Sequence, residues 1–178
     1  RLDGYIVFFE GEVKDGTGAV AGKSLLAYYY NPYSGSVKSI SPTIIWDLAE
    51  GQPLGEAIDI DVVKKKVFPT VVAGLKDYME RIRVDRHKQG EIKKKYGIRS
   101  LEKLILDLDG ELIELNARKE RGENVDIVIR NKEEQKRKYE ASKEELEELI
   151  EKEQNLTMSM PSFVGIVRVL PRAETEDA

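Results

Sequence analysis

The chain has 178 residues, of which 40% are apolar and 35% charged, with a net charge of −4. That length suits one domain or two small ones, and so balanced a charge does not mark the chain as a whole for nucleic acid. The absence of cysteine excludes disulfides and thiolate chemistry and fits a reducing, cytoplasmic setting. No run approaches the ~20 apolar residues of a membrane span, so no membrane partner is expected. No signal-peptide pattern opens the chain. It starts on Arg1 and a strand-like run rather than Met, as a processed protein or a fragment cut from a longer one would, and a fragment is the expectation.

Residues 4–14, GYIVFFEGEVK, read as a strand with apolar residues on both faces. Asp15-Gly16-Thr17-Gly18 reads as a tight turn. Residues 23–30, KSLLAYYY, form a second, aromatic-rich strand. Asn31 to Gly35 turn the chain again, and Ser36–Ile40 is a short third strand. These three make an antiparallel meander. Ile44, Ile45, Trp46 and Leu48 form an apolar cluster in which Trp46 is expected to pack. A loop over Glu50–Gly55 follows.

From Val62 the pattern turns helical, with Asp59 or Asp61 as its cap. Phe68, Val71, Leu75, Tyr78 and Ile82 form a stripe that continues through Asp85 and Gln89 to Ile92 and Tyr96. Pro69 sets the helix start or kinks the helix. Gly97 is expected to end it, and Ser100 to cap the next. That next helix, to about Arg121, organises the chain. Leu101, Ile105, Leu108, Leu112 and Leu115 step by four and three along one stripe. Leu104, Leu106 and Ile113 widen the apolar face, which predicts cover from helices on more than one side. Gly110 inside it costs ~1 kcal/mol relative to Ala.

A third helix is expected from about Val125 to Glu153. Its middle, RNKEEQKRKYEASKEE, has Tyr139 as its one large apolar residue and should stand in solvent. Phe163–Leu170 is a β-prone run with no strand beside it in sequence, so it should return to the meander. The tail PRAETEDA is acidic. The fold expected is α+β, an antiparallel sheet from the N-terminal meander and a C-terminal strand, with three long antiparallel helices inserted between. The divisions are a β-rich part over 1–58, a helical arm over 59–154, and a returning strand and tail over 155–178.

Residues 16–24, GTGAVAGKS, fail as a phosphate loop. Counting back from Gly22, the glycine is required where Thr17 stands, and a strand follows where a helix is needed. Gly16, Gly18 and Ala21 meet the looser dinucleotide pattern, but that too must open a helix. His87 lies among charged helical residues without ligand or nucleophile partners, so no metal site is expected. Consecutive acids such as Glu144, Glu145, Glu147 and Glu148 point in different directions and form no converging catalytic pair.

Charge is distributed unevenly. Residues 81–103 carry nine Lys/Arg against three acids, residues 130–143 six against three, and residues 144–154 one against six. In an antiparallel array the two basic stretches would lie together as a patch for a DNA or RNA backbone. Its candidate residues are Arg86, Lys88, Lys93, Lys94, Lys95, Arg99, Arg130, Lys132, Lys136 and Arg137. Ordinary helix-surface charge balanced by neighbouring acids is the competing explanation.

The succession DGTGAVAGKSLLAYY, SPTIIWDL, KKKYGIRSLEKLILDLDGELIEL, DIVIRNKEEQKRKYEASKEELEELI and LTMSMPSFVGIVRVLP resembles the C-terminal accessory region of large Swi/Snf-type superfamily 2 helicases of archaea and bacteria. KYGIRSLEKLI and IRNKEEQKRKYE carry the resemblance best. It implies an upstream ATPase core as partner, with ATP and magnesium bound there. None of that core's residues maps onto this chain, and no catalytic residue or cofactor is assigned to it. The expected function is a non-catalytic accessory domain of an ATP-dependent helicase or translocase that engages nucleic acid through the basic arm. The alternative is a structural or interaction module whose arm docks a protein. A third reading is an independent hydrolase. An exposed apolar patch on the arm would favour docking, and a deep pocket with converging polar groups the hydrolase.

Overall fold

A computed structural model of the chain describes residues 3–52 and 58–171. The acidic tail beyond Pro171 and part of the expected loop lie outside them. The described chain runs β1 (Gly4–Lys14), β2 (Val20–Tyr30), β3 (Val37–Ile40), a 3-10 turn (Pro42–Asp47), α1 (Ile60–Lys93), a π-helical turn (Lys94–Ile98), α2 (Arg99–Glu120), α3 (Asp126–Gln154), β4 (Thr157–Met158) and β5 (Ser162–Val169). This is a mixed α+β fold with one antiparallel sheet and three helices. It divides into two compact units, the first made of the described residues of 1–14, 18–82 and 156–171, the second of 15–17 and 83–155.

In the first unit β1 is the central strand. β2 pairs along one side of it, with Tyr5 opposite Tyr30 and Phe9 opposite Leu26. β5 and β4 pair along the other side, with Gly4 opposite Val169 and Val13 opposite Met158. β3 lies beyond β2. The last strand therefore does return to the meander. Arg168 fastens it there, donating to the Gly4 carbonyl at 2.8 Å and pairing with Asp3 at 2.5 Å.

Alternation along β1 sends Val7 and Phe9 to one face, Ile6 and Phe8 to the other, and both faces are covered. Val63, Val67 and Val71 of α1 pack on the first, with Tyr28 and Tyr30. Leu75, Tyr78 and Ile82 extend that contact to Val13 and Leu156. The expected stripe on α1 is thus the face that meets the sheet. Asp59 caps α1, its carboxylate accepting from the backbone N–H of Asp61 and Val62. The helix begins before Pro69 and passes through it. On the second sheet face Ile44 and Leu48 pack beside Ile40 and Val167. Trp46 does not join them. It is 85% exposed, because the 3-10 turn points Ile44 and Leu48 inward and Trp46 outward.

Gly16 to Lys23 occupy a turn and the start of β2. Lys23 pairs with Glu12 at 3.3 Å and Glu10 at 3.7 Å across the hairpin. The glycine-rich motif is therefore a hairpin.

α1 approaches the sheet closely where glycine permits it. A Cβ on Gly74 would collide with the Tyr28 hydroxyl, and one on Gly11 would lie 2.5 Å from Leu75 Cδ1. Burial also raises the Tyr28 phenol above its ordinary pKa, with Asp77 adding to the effect. Gly74→Ala should cost about 1–3 kcal/mol in urea unfolding, as overpacking does. Tyr28→Phe removes the colliding oxygen, so the double variant should recover part of that loss.

Candidate interaction surface

The second unit is a helical hairpin. α3 runs back antiparallel along α2 and the π turn, and its end meets α1 at Gly90 and Lys93. Gly97 does not end a helix. Its φ is not positive, and the run from Ile60 continues through the π turn into α2. α1 and α2 therefore run the same way and only α3 is antiparallel, which corrects the expected array of three. Ser100 caps nothing, and its hydroxyl donates back to the Tyr96 carbonyl.

The π turn follows from the spacing of the seam. Lys93, Gly97, Leu101 and Ile105 all face inward at steps of four, four and four. A two-helix seam alternates three and four, so this stretch holds one residue too many. A π turn absorbs a single inserted residue. Beyond it Leu101, Ile105, Leu108, Leu112 and Leu115 form the expected seam, with Leu108 and Leu115 buried. Before it the inward register is Arg86, Gly90, Lys93 and Gly97, one residue off the expected stripe. Ile92 and Tyr96 consequently face solvent. Gly90 and Gly97 allow close approach of α3. A Cβ on Gly90 would collide with Gln154, and one on Gly97 would lie 2.7 Å from Leu146 Cδ2.

α3 presents Val125, Ile129, Lys132, Lys136, Tyr139, Lys143, Leu146 and Ile150 at steps of four and three, each buried or half-buried. Its middle is therefore not the solvated stretch expected. A half-buried lysine lays its methylene stem along apolar surface and carries its ammonium to the rim. Lys132 reaches Glu111 at 2.7 Å, Lys136 reaches Asp109 at 2.6 Å, and Lys143 reaches Glu102 at 3.2 Å. At the other end Lys93 pairs with Glu153 at 2.5 Å.

These pairs show where the basic stretches lie. Residues 130–143 run beside residues 102–111 of α2, and 104–115 carry four acids and no base. Within the other stretch, residues 90–97 face the acidic segment 144–154. The two basic stretches are not brought together, and both pair with acid across the hairpin where α3 runs beside them. Among the candidate cations, Arg86 pairs at 3.6 Å with buried Asp15, which also accepts from the Thr17 backbone and hydroxyl. Lys93, Lys132 and Lys136 are engaged across the hairpin. Lys94 pairs with Glu91 along its own helix. Arg137 donates to the Glu133 carbonyl at 3.5 Å. Lys95 sits over the Tyr96 ring, 5.4 Å from its centroid. Lys88, Arg99 and Arg130 are exposed and form no ion pair among the described residues.

α2 is covered by α3 on one side, not from several. Leu106 is 70% and Ile113 73% exposed, one heptad apart, with Gly110 and Ala117 on the same outer stripe. Sequence reasoning registered the width of this apolar face but assigned it to a buried core. A groove of about 520 Å³ in the first unit is lined by Phe9, Phe68, Phe163, Pro69 and Pro161, with Asp61, Lys64 and Lys65. It is aromatic and holds no converging set of polar groups. Among the described residues, no group of three or more metal-ligating side chains forms, and no helix is long and apolar enough to cross a membrane. Comparison with protein-family models, curated proteins and solved structures finds no match.

The lysine pKa values of the seam give it a pH dependence. Lys136 is raised above the ordinary lysine value, chiefly by its hydrogen bond to Asp109, and Lys119 likewise by Asp126. Folding raises these pKa values, so their contribution is complete below the unfolded lysine pKa and is lost as pH climbs through the folded one. Replacing Lys132, Lys136 and Lys143 with Leu should raise the hairpin's thermal midpoint near neutral pH, because an apolar seam outperforms half-buried ion pairs. Lys136→Leu alone should also lose less stability than the parent at strongly alkaline pH. Thermal melts followed by circular dichroism check both.

Proposed function

We propose that this chain is a non-catalytic accessory module that acts by docking protein on the outer face of its helical hairpin. One observation carries the reading: Leu106 and Ile113 stand exposed one heptad apart on a helix whose other side is already covered by α3. Large apolar side chains ordered this way mark interaction surfaces. The resemblance to the accessory region of Swi/Snf-type helicases is compatible with this reading and supplies a setting for it, an ATP-dependent motor upstream. In that setting ATP and magnesium belong to the motor. The failed phosphate-loop spacing and the hairpin placement of Lys23 support a module without nucleotide chemistry of its own.

A photo-cross-linking side chain at position 106 tests the docking reading. In the native cell it should yield one discrete protein adduct, lost with Ile113→Glu, while the same group at Glu144 yields none. No adduct from position 106 overturns it. The purified chain should show no ATP turnover, and turnover abolished by Lys23→Ala would contradict the non-catalytic reading.

Nucleic-acid engagement is the second reading, favoured by the exposed Lys88, Arg99 and Arg130, which form no ion pair among the described residues. Binding on this reading is independent of base sequence and falls with salt by ~0.9 log units per tenfold rise for each phosphate neutralised. Replacing Lys88, Arg99 and Arg130 with Ala should flatten that slope in fluorescence anisotropy. Absence of binding by the parent chain at low salt removes this reading.

A further inference from the structure

We propose that the aromatic groove of the first unit binds a small aromatic carboxylate, its ring against Phe9, Phe68 and Phe163 and its charge on Lys64 and Lys65. The site is independent of the docking reading and belongs to the other unit of the chain.

Three elements build the groove. β1 supplies Phe9, α1 supplies Phe68 and Pro69, and the entry to β5 supplies Pro161 and Phe163. Phe9 is buried, and Phe68 and Phe163 both stand edge-on to it, with ring centroids at 6.4 and 5.8 Å and planes at 63° and 76°. The two flanking rings are only half-buried, so each keeps surface outside the core. Aromatic rings favour this edge-to-face geometry, and a further ring extends the cluster on its open side. An aliphatic guest fills the same space without that gain.

Two prolines stiffen the lining. Neither Pro69 nor Pro161 has an N–H to satisfy, and each ring fixes its own φ. Stiff apolar walls need little ordering when a guest enters. The groove's volume, about 520 Å³, falls within the roughly 300–1,000 Å³ of small-molecule pockets.

The charge is one-sided. Asp61, Lys64, Lys65 and Phe68 follow at steps of three, one and three, so α1 turns them to one side of the groove. Lys64 is half-buried and holds its ammonium 4.8 Å from the centre of the Phe163 ring. Its contact with Asp61 is long, at 3.8 Å, and the Asp61 side chain is 83% exposed. Such a pair is weak, so a guest's carboxylate can take the place of Asp61. Lys65 forms no ion pair among the described residues. Two cations beside one displaceable acid fit a guest with a single negative charge. Among the described lining residues there is no hydroxyl, histidine or second carboxylate, so the groove is assigned binding and no turnover.

Titration of the full chain with naphthylacetate, followed by amide NMR shifts, tests the site. The shifts should saturate and centre on residues 61–68 and 162–165. The neutral naphthylethanol should bind about tenfold more weakly, because only the acid makes charge-assisted contacts. Decanoate should also bind more weakly than naphthylacetate. Lys64→Gln with Lys65→Gln should abolish the preference for the acid over the alcohol and leave the thermal midpoint unchanged. Asp61→Asn should tighten binding of the acid by about twofold, since a weakly held competitor is removed. Phe163→Leu separates the ring from its bulk: naphthylacetate should weaken while decanoate does not. If that variant fails to fold, Phe68→Leu asks the same question from α1.

Absence of saturable binding overturns the proposal, and so do shifts centred elsewhere in the chain. Equal affinity for the acid and the alcohol overturns it, because the lysines would then play no part. Decanoate binding as tightly as naphthylacetate overturns it as well, because the groove would then select bulk and not a ring.

Discussion

The hairpin depends on a mismatch between its two helices. α2 offers leucine and isoleucine along its inner stripe, and α3 answers over its middle turns with Lys132, Lys136, Tyr139 and Lys143. A lysine at such a position is tolerable only if its ammonium escapes to a carboxylate at the rim. Glu102, Asp109 and Glu111 stand where those ammonium groups emerge. The runs of like charge in the sequence are therefore two halves of a pairing scheme. Apolar contact is concentrated at the ends, around Leu115, Val125 and Ile129 beside the turn, and around Ile150 at the other end. The centre is specified by charge and stabilised less.

This scheme changes the meaning of the basic stretches. Their counts alone point to phosphate. The direction of the helices decides where those charges fall, and that direction turned on Gly97. Read as a helix end, it folds the chain back and stacks one basic stretch on the other. Read as part of a continuous helix, it sends each basic stretch against an acidic one. Ion pairs in a half-exposed seam are individually weak. Together they fix which register of α3 leaves no ammonium unpaired over leucine.

Much of the fold was legible. The meander, its two turns, the sheet-facing stripe of α1 and the return of the last strand all follow from period, turn residues and β-propensity. The inner seam of α2 was legible to the residue. The π turn was not, because a one-residue excess shows only when the partner helix is known, and the sequence offered Gly97 as a more familiar reason for a break. Trp46 was placed inside because bulk and apolarity argue for burial, whereas a 3-10 turn of three residues per turn turns only Ile44 of Ile44, Ile45 and Trp46 towards the sheet. For the candidate surface, the apolar residues were recognised and their side was not. Leu106 and Ile113 lie outside the inner stripe, and their exposure depends on how many helices surround α2, which periodicity does not report.

The π turn also divides the long helix into two phases. Each helical residue turns the screw by about 100°, so one surplus residue held at 94–98 offsets every side chain beyond it by that angle. Loss of that surplus residue would turn the joint into plain α-helix and keep Leu101 through Leu115 on the face that α3 occupies, whereas gain of another would rotate them off it. The joint acts as a phase setting for the hairpin, and an insertion at this point would be read out as a change in which residues are inside.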